Sequence, residues 1–143
     1  MQPSKIPTLE PNQPVKAVMK RAVESVTPHS TLQVAAAQMK AANVGALPVC
    51  EGGQVVGMLT DRDITVRAVA HGHDAFEDRV RDVMTPNAVT CYEDQQVGEA
   101  ARLMEENQVR RLAVLDRSQR LVGMLSLDDL AAHEVKVEGD GRR

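Results

Sequence analysis

Aromatic side chains are almost missing from this 143-residue chain, which has one Phe (Phe76), one Tyr (Tyr92) and no Trp. Its core must therefore be aliphatic, built from Val, Leu and Ala together with seven adaptable Met. The same scarcity argues against binding of single-stranded nucleic acid, which uses rings as stacking platforms. A net charge of −3 offers a polyanion no general attraction. Cysteine is scarce too: Cys50 and Cys91 lie far apart and can form neither a disulfide framework nor a CxxC metal or redox motif. They read as two partly buried thiols in a reducing cytoplasm. No apolar run approaches the roughly 20 residues that span a bilayer. The opening stretch "MQPSKIPTLEPNQP" also lacks the apolar core of an export signal. The expectation is a cytoplasmic protein that has neither nucleic acid nor membrane as a partner.

What the chain does contain is a repeat. "VKAVM" (Val15 to Met19) matches "VRDVM" (Val80 to Met84), and "LQVAAAQMKAANVGALPVC" (Leu32 to Cys50) matches "VGEAARLMEENQVRRLAVL" (Val97 to Leu115). These pairs share an offset of 65 residues, which becomes 66 for "GMLTDRDI" (from Gly57) and "GMLSLDDL" (from Gly123). The extra residue falls between "EGGQ" and "DRSQR", a polar turn, where insertions are tolerated. Leu32, Ala35, Ala36 and Met39 recur at helical spacing, as do Val97, Ala100, Ala101 and Met104. Two short apolar runs around the polar turn read as a β-hairpin, and a second helix begins at Thr60 or Ser126. With short strands near Ser25–Val26 and Thr90–Cys91, each unit reads β-α-β-β-α, an α+β fold. A unit of about 60 residues buries little surface alone, so the two copies are expected to pack together. Residues 15–74 form the first repeat and 75–133 the second. The Pro-rich residues 1–14 read as an extended arm, and the polar, Gly-containing residues 134–143 as a loose tail.

Thr60-x-x-Asp63 and Ser126-x-x-Asp129 are close to a capping box, in which a hydroxyl caps the first helical turn and an acid three residues on caps in return. Capping alone accounts for these residues, since losing a cap hydroxyl costs about 1 kcal/mol. Three features add a ligand reading. Gly57 and Gly123 end strand-like runs, where glycine permits close approach of another group. A strand leading into a helix N-terminus points backbone donors outward. A fixed carboxylate accepts two hydrogen bonds at once, as the vicinal hydroxyls of a ribose require.

The order of these pieces, repeated twice, resembles the CBS-domain pair, also called a Bateman module. The likeness rests on "VM" before the first strand, on "GALPV" and "RRLAV" in the second, and on "GMLTDRD" and "GMLSLDD" after the third. It spans about Val15 to His133 and is similar to stand-alone prokaryotic members, including hypoxic response proteins. The second copy departs from the pattern at Ala113, where the first has Pro48, and at Glu93, where the first has Pro28. The resemblance implies two repeats packed about a pseudo-twofold axis, with two clefts that bind AMP, ADP, ATP or S-adenosylmethionine in many members. Carried over, one cleft uses Met58, Thr60 and Asp63 with Val109, Arg110 and Arg111; the other uses Met124, Ser126 and Asp129 with Val44, Gly45 and Ala46. Arginines suit bidentate phosphate binding, so a phosphorylated ligand is expected to prefer the Asp63 side. An ordinary solvated pairing of the arginines with Glu105 or Glu106 is the competing account. The resemblance further implies a non-enzymatic regulator, a homodimer and an unidentified protein target. The rival from another class is an interaction dimer whose clefts are vestigial.

Two other groups carry side chains capable of chemistry. "HGHD" (His71 to Asp74) offers two imidazoles and a carboxylate, short of the four ligands of a structural zinc site, and reads as a solvated loop. No local signature joins Cys50 or Cys91 to a histidine as a catalytic pair, and Cys50 ends an apolar run that suits packing.

Overall fold

The computed structural model describes residues 12–138, with side chains for 12–132. A 3₁₀ turn at Val15–Ala17 comes first, and helix α1 follows at Leu32–Ala42. Helix α1 starts where Thr31, in an extended conformation, accepts the Val34 N–H on its hydroxyl, and it ends at Asn43 in the left-handed region (φ 56°). Strands β1 (Ala46–Glu51) and β2 (Gln54–Thr60) pair antiparallel. Gly52 and Gly53 both have positive φ (61° and 81°), the requirement of a tight hairpin turn of this hand.

After Thr60 the chain turns helical, and Asp63–Val69 is wound as a π-helix. The Ala70 N–H reaches back five residues to the Thr65 carbonyl at 3.1 Å. Ile64, Thr65 and Val66 are all β-branched, a run that crowds the ordinary α-helical turn. The short helix α2 (Val80–Val83) leads into strand β3 (Thr85–Pro86).

The same plan then recurs. Strand β4 is Thr90–Tyr92, helix α3 is Val97–Asn107, strands β5 and β6 are Arg111–Leu115 and Leu121–Ser126, and helix α4 is Leu127–Glu138. Glu99 caps the N-terminus of α3 by accepting the Gln96 N–H at 3.1 Å. The helix ends at Gln108, again left-handed (φ 54°). Both hairpins carry a register shift at the same place, between Val49 and Cys50 and between Val114 and Leu115. The second hairpin has the longer turn, held by Asp116 Oδ1, which accepts the N–H groups of Ser118 and Arg120.

Among the described residues the strands form two sheets, in the orders β1-β2-β3 and β4-β5-β6. The chain divides into two compact units, Glu24–Ala88 and residues 1–23 with 89–143. This division does not follow the sequence repeats. "VRDVM", which opens the second copy, places Val80 and Val83 in the core of the Glu24–Ala88 unit, with Val26, Leu32, Ala35, Met39, Leu47, Val49 and Leu59. "VKAVM", from the first copy, places Val15, Val18 and Met19 in the other core, with Cys91, Val97, Ala100, Met104, Leu112, Val114, Leu125 and Leu130. Both cores are wholly aliphatic apart from Met and Cys91. Burying one such leucine or valine contributes on the order of 1.5–3 kcal/mol, so each exchanged segment holds its unit together.

Two expectations are corrected. The first short strand of repeat one reduces to a single parallel bridge, Val26 to Val49, whereas β4 forms a true ladder with β5. The tail expected from residue 134 begins instead as the end of α4, which runs to Glu138. Helix formers continue up to Gly139, the first residue that interrupts them. Residues 1–11 of the expected arm and 139–143 of the tail lie outside the described residues.

Candidate functional site

Each hairpin delivers its last strand directly into a helical turn, and there the motif residues meet. In the Glu24–Ala88 unit the Thr60 N–H donates to Asp63 Oδ2 at 3.0 Å, and the Asp63 N–H donates to Thr60 Oγ1 at 3.0 Å. In the other unit the Ser126 N–H donates to Asp129 Oδ2 at 2.9 Å, and the Asp129 N–H donates to Ser126 Oγ at 3.1 Å. Both are reciprocal capping boxes. Capping uses one oxygen of each carboxylate and one lone pair of each hydroxyl. The Oδ1 atoms and the hydroxyl protons are not used by the caps, and all four side chains are partly exposed.

The glycines have a different purpose from the one the sequence suggested. A Cβ at Gly57 would stand 2.7 Å from the Thr85 carbonyl oxygen and 2.9 Å from Met84 Sδ. At Gly123 it would stand 2.7 Å from the Lys20 carbonyl oxygen and 2.6 Å from Met19 Sδ. The group that approaches closely is thus the chain itself: both glycines lie inside their strands rather than at the ends, and the segment at each "VM" pairs antiparallel alongside them. Met58 pairs with Thr85. Met124 and Lys20 exchange two backbone hydrogen bonds of 2.9 Å.

Within each unit the second-strand segment borders the turn of its own repeat. Gly45 accepts the Asp61 N–H at 2.9 Å, and Arg110 accepts the Leu127 N–H at 2.8 Å. Val44, Gly45 and Ala46 therefore lie beside the Thr60 turn, with Ala46 paired to Thr60. Val109, Arg110 and Arg111 lie beside the Ser126 turn, with Arg111 paired to Ser126. The carboxylate that Arg110 meets is Asp128, at 3.9 Å, rather than Glu105 or Glu106. A shallow apolar groove of 440 Å³ runs between α3 and this turn, lined by Met104, Val109, Arg110 and Leu127 among others.

One residue beside the motifs was missed in the sequence. Lys20 Nζ lies 3.7 Å from Asp129 Oδ1, with the lysine side chain 76% exposed and the aspartate 12%. Among the described residues no cation stands in that place at Asp63. The signal was one residue beyond the "VKAVM" and "VRDVM" alignment, where Lys20 matches Thr85.

The remaining candidates are held apart. Burial pushes the Cys91 thiol up to about 12. Burial also raises Cys50, partly offset by its hydrogen bond with Ser25. Neither thiol is poised as a thiolate nucleophile. His71 Nδ1 lies 3.1 Å from the Arg67 carbonyl, and His73 Nδ1 lies 2.9 Å from Asp78 Oδ2. Among the described residues no three His, Cys, Asp or Glu side chains gather in a metal-binding group. No helix among them is long and apolar enough to cross a membrane.

Comparison with known proteins adds the family. Residues 4–69 and 80–136 match the family model for the CBS domain. The chain belongs to the CBS-domain family. This CBS pair is 42% identical over 127 residues to the CBS domain-containing protein YhcV of Bacillus subtilis, covering 89% of each chain. It superposes on the crystal structure of Hypoxic Response Protein I with two coordinated zinc ions at a TM-score of 0.76 and 34% identity, covering 85% of this chain and 98% of that one. It also superposes on the CBS domain pair of protein MJ0100, in complex with 5′-methylthioadenosine and S-adenosyl-L-methionine, at a TM-score of 0.73 and 26% identity. That match covers 92% of this chain and 100% of the other.

Proposed function

We propose that this CBS pair is a non-enzymatic, cytoplasmic regulatory module that binds an adenosyl nucleotide (AMP, ADP, ATP or S-adenosylmethionine). It would act as a homodimer that reports energy or stress state to a separate protein target. The observation that carries the reading is the pair of capped aspartates, each with a spare carboxylate oxygen beside a hydroxyl at a strand-to-helix turn. In this reading Asp63 and Asp129 accept the ribose hydroxyls, Thr60 and Ser126 donate beside them, and Met58 and Met124 lie against the base. Val44, Gly45 and Ala46, with Val109, Arg110 and Arg111, complete the contacts, and the two guanidiniums serve the phosphates. The adenosyl ligands carried by the MJ0100 pair support the choice of ligand class.

Calorimetry with adenosine, AMP, ADP, ATP and S-adenosylmethionine tests the proposal. Wild-type protein should bind at least one of them, and Asp63→Ala and Asp129→Ala should each remove one binding event. Absence of heat with every ligand would defeat it and favour an interaction dimer with vestigial sites.

A further inference from the structure

Lys20 combines a fixed backbone with an exposed charge that reaches the motif aspartate itself. Two hydrogen bonds tie its main chain to Met124, two residues before Ser126. The bare Cα of Gly123 lets its carbonyl lie close. From that anchor the side chain reaches Asp129 Oδ1, the oxygen that the cap leaves over, at 3.7 Å. An ion pair this exposed adds little to folding. The ammonium, a point charge with three donors on a flexible stem, is therefore free to turn to a stronger anion arriving at Asp129. The matching residue of the other unit is Thr85, which pairs with Met58 as Lys20 pairs with Met124 and carries no charge.

We infer that Lys20 is a charge selector: its ammonium makes the Asp129 turn favour phosphorylated adenosyl ligands over cationic S-adenosylmethionine, a contribution that Thr85 cannot make at the Asp63 turn. The inference rests on the adenosyl-nucleotide reading and adds a ligand class to one of its two sites. A phosphate group is a better partner for the ammonium than a carboxylate already engaged in a cap, and the net positive charge of S-adenosylmethionine is repelled by it. Arg110 and Arg111 contribute to phosphate binding under the proposal above, and Lys20 gives Asp129 a cation that the sequence motif omits.

The test is calorimetry of the full chain in an Asp63→Ala background, which leaves Asp129 as the acid for adenosyl ligands. Asp63→Asn, which keeps a capping oxygen, replaces it if circular dichroism shows Asp63→Ala unfolded. Lys20→Thr should weaken AMP about five- to tenfold, leave adenosine within about twofold and leave S-adenosylmethionine no weaker. Lys20→Arg should keep the AMP preference, and Thr85→Lys in an Asp129→Ala background should create one. An unchanged AMP-to-adenosine ratio in Lys20→Thr, with adenosine still bound, overturns the selector and leaves the nucleotide reading intact. If wild-type protein binds none of the three ligands, both fall together.

Discussion

The Glu24–Ala88 unit and the unit formed by residues 1–23 and 89–143 are two solutions to one packing problem, and they agree where atoms are crowded. Each has a glycine under a crossing segment, a methionine sulfur against that glycine, a reciprocal Asp cap and a helix that ends left-handed. They disagree where side chains reach water. Lys20 takes the place that Thr85 has in the other copy, Arg110 that of Gly45, and Leu127 that of Asp61. The second unit also has Arg117 clamped on Asp94 by two guanidinium nitrogens and stacked 4.0 Å over Tyr92, whose place in the first unit is taken by Thr27. Interior geometry tolerates little change because packing is dense, whereas exposed charges are nearly neutral for stability. Two copies of one fold can therefore diverge in surface charge without losing the fold.

The largest effect should come from filling the shared glycine positions. Gly57→Ala and Gly123→Ala each place a Cβ within 2.7 Å of a backbone carbonyl. Each should cost about 2–3 kcal/mol in urea denaturation. A cost under about 1 kcal/mol in either would show that the crossing segment moves aside in that unit.

The two units should also respond differently to alkali. Cys91 lies in one core at the place that Val26 fills in the other. An unfolded thiol ionises near 9.0, while folded Cys91 stays neutral up to about 12. Above pH 9 the unfolded chain binds fewer protons, so stability falls as pH rises through that window, by about 1.4 kcal/mol per unit at most. Cys91→Val, which copies the other unit, should flatten the profile between pH 9 and 11. An identical slope in the variant would assign the alkaline loss to other groups.

The smallest contrast concerns the helix ends. Gln108 and Asn43 both adopt positive φ (54° and 56°). Asn tolerates that region better than Gln. Gln108→Gly should stabilise by about 1 kcal/mol and Asn43→Gly by a few tenths, read from melting temperatures. Equal gains would remove the distinction.

Much of the fold was legible because it is local. The helical spacing of Leu32, Ala35, Ala36 and Met39 and of Val97, Ala100, Ala101 and Met104 marks the inner faces of α1 and α3: Leu32, Ala35, Met39, Val97, Ala100 and Met104 are buried, whereas Ala101 is partly buried and Ala36 is exposed. Thr60-x-x-Asp63 and Ser126-x-x-Asp129 encode their caps within four residues, and both caps form. The π-helical turn after Thr60 was not legible from an apolar pattern shared by α and π windings, although the β-branched run at Ile64–Val66 hinted at it. The glycines were correctly marked as points of close approach, but what approaches them was not.

By itself, then, the sequence determined the repeat, the faces of its helices, the positions of its turns and the capped acids, since each depends on residues a few positions apart. Only tertiary structure decided that the "VM" segments exchange between units, and that exchange brings Lys20 to Asp129 from the far end of the described chain. Periodicity and capping record what a residue does with its neighbours. They carry no record of which distant strand a segment will lie across, because that choice is made by burying Val15, Met19, Val80 and Val83 in cores assembled from the rest of the chain.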